Sequence, residues 1–202
     1  MKRIPVVATI VVALAVAAMI ALGFWQIRRL HEKEALLARY TANIHAAPIA
    51  FPRVALGDDL LFRKASAFCL QPVSFDKQGA GALGFRVIAH CRTGAEGPGF
   101  AVQLGTSHDP DVRVTWKGGD VSGYIIHAPD HRPLIALMFG NHTPPPLMLV
   151  ADRPPAPLAA NPGPDLSTIP NNHLSYAVQW FLFAAMALGI YALALRKRMR
   201  AT

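Results

Sequence analysis

The sequence predicts a membrane protein of α+β class: two transmembrane α-helices flanking an extracytoplasmic, mainly antiparallel β domain. Three observations carry this reading. Two apolar runs, residues 4–25 and 174–195, hold no charged side chain and sit near the two ends. Basic residues gather at both tips, outside those runs. Between the runs, short β-branched and aromatic segments alternate with Gly, Pro, Asp and Ser, a pattern of strands and turns.

The first run is ~30 Å long as a helix, enough to cross the hydrocarbon core, and the second matches it. The chain of 202 residues carries 20 Lys and Arg against 12 Asp and Glu, a formal charge of +8. Six of those positive charges, Lys2, Arg3, Arg196, Lys197, Arg198 and Arg200, lie at the tips, leaving 14 basic against 12 acidic residues elsewhere. The basicity therefore reports topology, with both termini cytoplasmic and the middle outside, and gives no face for nucleic acid. Arg28 and Arg29 at the outer end of the first run oppose this weakly, with Glu32 and Glu34 close behind. A cleaved signal peptide is the alternative for the first run, since Ala15-Val16-Ala17 resembles a cleavage site. The apolar stretch outruns a signal core of ~7–15 residues, which favours an uncleaved anchor.

Four regions follow: a first transmembrane helix at 4–25, a β-rich domain with a leading helix at 26–142, a Pro-rich return segment at 143–170, and a second transmembrane helix at 174–195. Leu30, Leu37 and Tyr40, with Lys33 and Glu34 outward, suit a polar helix leaving the membrane, which Pro48 and Pro52 end. Strands are expected at 62–70, 84–91, 100–104, 112–116, 121–127, 134–139 and 147–151. Gly118-Gly119 tolerates positive φ and is expected to turn a hairpin between Trp116 and Val121. The spacing leaves no room for crossover helices, hence antiparallel pairing. The return segment holds nine of the 17 prolines and is expected to be extended, with at most the strand at 147–151.

The most informative stretch is Pro170-Asn171-Asn172-His173-Leu174-Ser175-Tyr176-Ala177-Val178-Gln179-Trp180-Phe181. Asn171 or Asn172 can cap the helix. His173 then stands at the mouth of the span, with Ala177, Trp180 and Ala184 below it on one face and Tyr176 beside it. Such an imidazole over a small-and-aromatic strip suits a haem ligand, and it equally suits an interfacial aromatic belt. At the matching end of the first helix, Gly23 permits close approach and Arg28 or Arg29 offers a cation to a carboxylate such as a haem propionate. The same arginines and Trp25 also suit an anchor among lipid headgroups.

Other candidates are weaker. Cys69 and Cys91, the only cysteines, lie in expected strands outside the cytoplasm, where a disulfide is permitted but where spacing leaves pairing open. His127, His131 and His142 lack the spacing of a metal site, and Pro129 keeps the first two off one helical face. Asp58-Asp59 and Asp109-Pro110-Asp111 suit solvated turns. No G-x-S-x-G, H-E-x-x-H or phosphate-cradling loop occurs, so nothing points to an enzyme.

Two segments together resemble the Surfeit locus protein 1 family of cytochrome c oxidase assembly factors. Leu22-Gly23-Phe24-Trp25-Gln26-Ile27-Arg28-Arg29, continuing to Lys33, is similar to the family's Leu-Gly-x-Trp-Gln signature. Asn171-Asn172-His173-Leu174-Ser175-Tyr176-Ala177, with Trp180-Phe181, is similar to its C-terminal motif at the membrane mouth. In the middle, Gly84-Phe85-Arg86-Val87-Ile88 is similar to a family strand, whereas the family's Asn-Arg-Gly-Trp is reduced to Gln103-Leu104-Gly105-Thr106, where only Gly105 fits. The resemblance implies assembly of a haem-copper oxidase, with haem a supplied to or stabilised in the catalytic subunit. It implies oxidase subunits and membrane lipid as partners and His173 as the haem contact and metal ligand. Trp25, Gln26, Arg28, Tyr176 and Trp180 are then expected to support haem or oxidase docking. A scaffold that binds no haem is the competing reading; a two-span sensor fits less well, with only seven residues after the second run. The start of the chain lacks a transit-peptide pattern, from which a bacterial inner membrane is expected.

Overall fold

The computed structural model describes residues 5–52, 57–94, 99–130, 132–133, 140 and 144–200. The chain divides into two compact units, residues 1–37 with 167–202, and residues 38–166.

The first unit is a pair of long helices, most of α1 (Val6–His45) and α2 (His173–Arg200). Both are long and apolar enough to cross a membrane, and only 11% and 6% of their most apolar stretches are buried. That exposure distinguishes them from core helices of a soluble domain, which bury their apolar surface. Lys197, Arg198 and Arg200 close the last turn of α2, where they also favour the negative end of the helix dipole.

The second unit takes in the last turns of α1 and a sheet. α1 continues past Tyr40 to His45 and stops before Pro48, as the prolines require. Its end is tied down by side chains: Asn43 Nδ2 donates to the carbonyls of Asp59 at 2.8 Å and Leu61 at 2.9 Å. Tyr40 packs against Phe62 with ring centroids 5.0 Å apart, and Arg39 pairs with Asp59.

Seven strands form one sheet in the order β1-β2-β6-β7-β5-β4-β3: β1 (Ile49–Ala50), β2 (Lys64–Cys69), β3 (Gln71–Gly79), β4 (Phe85–Arg92), β5 (Phe100–Ser107), β6 (Gly119–His127) and β7 (Leu147–Ala151). Five of the expected strands are therefore present, and the candidate at 134–139 lies outside the described residues. The sheet is mostly antiparallel but mixed, because β1 runs parallel to β2 and β5 parallel to β7. No crossover helix is needed for the second pair. β5 and β6 run in opposite directions one strand apart, and β7 fills that space antiparallel to β6, hence parallel to β5. As the central strand, β7 is buried at every position, which is why Leu-Met-Leu-Val-Ala reads as an unbroken apolar run.

The sheet curls back on itself. β2 and β4 are four places apart in the order, about 19 Å in a flat sheet at ~4.8 Å per strand. Yet Cys69 at the end of β2 and Cys91 in β4 form a disulfide with Cα atoms 5.3 Å apart. The corner is made by the chain itself, since β2 runs straight into β3 at Leu70, whose amide donates to the Arg92 carbonyl at 2.9 Å. The pairing that spacing left open is thus present, buried at the seam.

Two expectations need correction. Residues 112–116 are not a strand, and no hairpin joins them to β6. Gly118 and Gly119 do take positive φ, at 103° and 118°, but they lead an unpaired segment into β6, which ladders with β2 and β7 instead. Val112, Val114 and Trp116 alternate because one side rests on the domain, a pattern that unpaired extended backbone shares with a strand. Conversely β3 was not expected. It is an edge strand exposed over most of its length, and Pro72, Asp76 and Lys77 suit an edge while hiding any alternation.

The Pro-rich segment does more than return the chain. Thr106 and Ala159 exchange two backbone hydrogen bonds, at 3.0 and 2.8 Å. Gln103 Nε2 donates to Asn161 Oδ1 at 2.7 Å, and Asn161 Nδ2 donates to the carbonyl of Ala151 at 2.9 Å. Tyr124 Oη donates to the Pro162 carbonyl at 2.8 Å. The segment is a strap laid on β5, β6 and β7. A Cβ on Gly105 would stand 2.6 Å from the Ala159 oxygen, 2.8 Å from Leu158 Cβ and 3.0 Å from Pro154 Cβ.

Candidate functional site

The site lies at one end of the helical unit. On α1, Thr9, Val16 and Gly23 recur every seven residues, and on α2 Ala177, Ala184 and Tyr191 do the same. Val16, Ala177 and Ala184 are buried although most of both helices is exposed. A seven-residue repeat keeps one seam facing its partner, and small residues let the backbones approach. The pairs confirm an antiparallel register: Thr9 hydrogen-bonds Tyr191, and Phe181 packs into Gly23, where a Cβ would lie 2.7 Å from its ring. Phe24 meets the same ring edge-on at 5.4 Å between centroids.

This register brings Gln26 to His173. His173 Nδ1 lies 2.8 Å from Gln26 Oε1 in a part-buried bond that joins residues 147 positions apart. An amide oxygen only accepts, so the imidazole donates from Nδ1. With the proton on Nδ1, a neutral ring leaves the lone pair of Nε2 for another partner.

The expected site residues separate into two groups. Gln26 and His173 are joined directly. Trp180 lies on the His173 face of α2, seven residues on, and packs edge-on against Phe183 at 6.2 Å. Tyr176 is beside that face and 51% exposed. Trp25 is 44% exposed, about 100° round α1 from Gln26. Arg28 is brought no closer: it falls about 200° round α1 from Gln26, on the far face. It is exposed and has no side-chain partner among the described residues. The reason is helical phase, since a spacing of two reverses the face. Arg29 shares the Gln26 side but is engaged with Glu32 at 2.6 Å.

Sequence reasoning chose Gln26 and His173 separately and missed their bond. It also missed Phe181 and Tyr191 as the partners of Gly23 and Thr9. The seven-residue spacings on the two helices mark the facing seams, and Gln26 lies one turn beyond Gly23 as His173 lies one turn before Ala177. Asn172 takes the cap position, its carbonyl accepting from the Tyr176 amide at 3.2 Å. Asn171 Oδ1 is buried without a hydrogen-bond donor among the described residues.

His173 would be the imidazole here able to offer a ring nitrogen to a haem iron, with Trp180 seven residues on along the same face; Ala177 and Ala184 between and beyond them are taken up by the seam with α1. Among the described residues no group of three or more His, Cys, Asp or Glu could hold a metal ion by itself. His131 and His142 lie outside those residues. Both ring nitrogens of His127 lie against protein oxygens, Nδ1 2.8 Å from the Pro145 carbonyl and Nε2 2.8 Å from Asp58 Oδ1.

Two apolar helices, antiparallel, joined at one end by a Gln–His bond and long enough to cross a membrane, flank in sequence a curled, disulfide-tied sheet, and together they define an α+β class of helix-pair protein. The chain belongs to the SURF1 family, whose sequence profile matches residues 13–185, from within α1 to within α2. That family is associated with cytochrome oxidase assembly and is a family of assembly factors. No individual curated protein matches the chain.

Proposed function

We propose that this protein is an assembly factor for a haem-copper cytochrome c oxidase that receives haem a at His173 and holds it for the catalytic subunit. The observation that carries the reading is the 2.8 Å bond from His173 Nδ1 to Gln26 Oε1, which in the neutral ring leaves the Nε2 lone pair for another partner. The haem iron is a Lewis acid that accepts such a lone pair. Trp180 and Tyr176 offer flat surfaces to a macrocycle, and Trp25 borders the mouth. A single ligand with open surroundings suits a cargo that must leave again, since a tight site would not release it.

The topology we propose has both termini in the cytoplasm and the sheet in the periplasm of a bacterial inner membrane. The basic tips support it through the positive-inside rule. The Cys69–Cys91 disulfide supports an oxidising compartment for the sheet. The pairing of α1 with α2 supports an uncleaved first helix. Oxidase subunits are the partners this function requires, and lipid surrounds the helix pair.

The test is the reduced visible spectrum of the intact protein, purified in mild detergent from a host that makes haem a, beside His173→Ala. The expected result is a haem band in the wild type that the variant loses. An equal band in both would move the ligand elsewhere. No band in either, with helices and sheet intact by circular dichroism, would leave a scaffold that docks oxidase subunits without haem.

A further inference from the structure

We infer that Gln26 is a positioning residue: it fixes the tautomer of His173, so that Nε2 and not Nδ1 is the nitrogen offered to an iron porphyrin. The inference rests on the haem reading for its ligand, while its tautomer statement concerns the apo protein alone.

A neutral histidine has two tautomers, and a ligand site needs one of them with the ring held in one orientation. In metal sites generally, the other ring nitrogen donates to a carbonyl or carboxylate that sets both. Here the acceptor comes from the opposite helix. Gln26 Oε1 receives the Nδ1 proton at 2.8 Å, in a part-buried setting where water competes less well. Among the described residues the His173 ring makes no other hydrogen bond.

The helix register makes the bond possible. Gly23 lies one turn before Gln26, and Phe181 sits against it where any side chain would collide at 2.7 Å. Thr9 and Tyr191 hold the far end of the seam. The distance between Gln26 and His173 is therefore set by backbone approach along the whole pair. Donation to an amide oxygen also makes the imidazole a better electron donor at Nε2. Gln26 touches neither the iron nor the macrocycle in this scheme and acts through His173.

The experiment uses the full chain in detergent, labelled with ¹⁵N at histidine, with the His173 ring signals assigned by their loss in His173→Ala. Long-range proton–nitrogen spectra of apo protein should show His173 protonated at Nδ1. Gln26→Met keeps the volume and removes the oxygen; it should mix the two tautomers. Gln26→Glu restores an acceptor and should restore the single tautomer. Titration with haem a should show about 10-fold weaker binding for Gln26→Met, the lower end of the loss typical of such partners, and recovery for Gln26→Glu. Wild-type His173 protonated at Nε2 would overturn the inference, as would a Gln26→Met protein with the wild-type tautomer and haem affinity. Failure of Gln26→Glu to rescue a folded protein would overturn it as well. Wild type that binds no haem a, with the Nδ1 proton in place and lost in Gln26→Met, would instead remove the haem reading and leave Gln26 only its effect on the ring.

Discussion

Replacing Gly105 by alanine tests whether the Pro-rich segment is a structural strap or a passive return. The new Cβ would meet the Ala159 oxygen at 2.6 Å, Leu158 Cβ at 2.8 Å and Pro154 Cβ at 3.0 Å. Comfortable carbon contacts lie at ~3.5–4.0 Å, so the strap must lift by up to about 1 Å. Overpacking of this kind costs ~1–3 kcal/mol. Lifting also strains the two bonds between Thr106 and Ala159, each worth about 1 kcal/mol. Against this, alanine restricts the unfolded chain and returns ~0.4–1 kcal/mol. The expected net loss is about 2–3 kcal/mol, overpacking being the largest contribution. Pulse proteolysis in urea on the full chain, reading cleavage of the sheet unit, measures it. Gly163→Ala is the control, because nothing lies within 4 Å of its Cβ position. The control should stay within ~0.5 kcal/mol of wild type, as most surface changes do. A Gly105→Ala protein as stable as that control would refute the strap.

Two further predictions follow from the same unit. Replacing Cys69 and Cys91 together by serine opens a cross-link of sequence separation 22 and should cost about 3 kcal/mol in urea unfolding, with reduction of the wild type giving the same loss. The hydroxyl of Tyr124 is pushed above its ordinary 10.0, first by burial and then by the Asp152 charge, with Arg86 opposing. Its protonated form is therefore favoured in the fold, so stability holds below pH 10.0 and falls as pH rises from there through the raised value. Tyr124→Phe should flatten that alkaline loss, measured as urea midpoints at pH 9 and about pH 11; an unchanged slope would assign it to other groups.

Much of the architecture is legible in the residues themselves. A run without charge and long enough to cross a bilayer needs no partner to be recognised, and the basic residues at the two tips lie outside both runs. Pro48 ends α1 for a reason contained in its own ring. β7 announces itself as an apolar run because it is buried on both faces, and β4 and β5 carry β-branched residues between turn formers. His173 and Gln26 stand out as polar residues at the mouths of apolar spans.

Other features belong to tertiary structure because they depend on which residues become neighbours. The alternation at 112–116 is that of a strand, yet only the ladder decides pairing, and β6 found β2 and β7. β3 has no alternation because its edge position leaves most of it to solvent, so periodicity had nothing to detect. The disulfide needed the curl that brings strands four places apart to 5.3 Å, a consequence of the β2–β3 corner. Arg28 and Gln26 share a motif in sequence and opposite faces on the helix. By itself, the sequence determined which two runs are long and apolar enough to cross a membrane and that His173 stands at the edge of the second, since hydropathy and charge act residue by residue. Only the tertiary structure decided that Gln26 holds His173 Nδ1, because a hydrogen bond across 147 residues depends on the register of two helices.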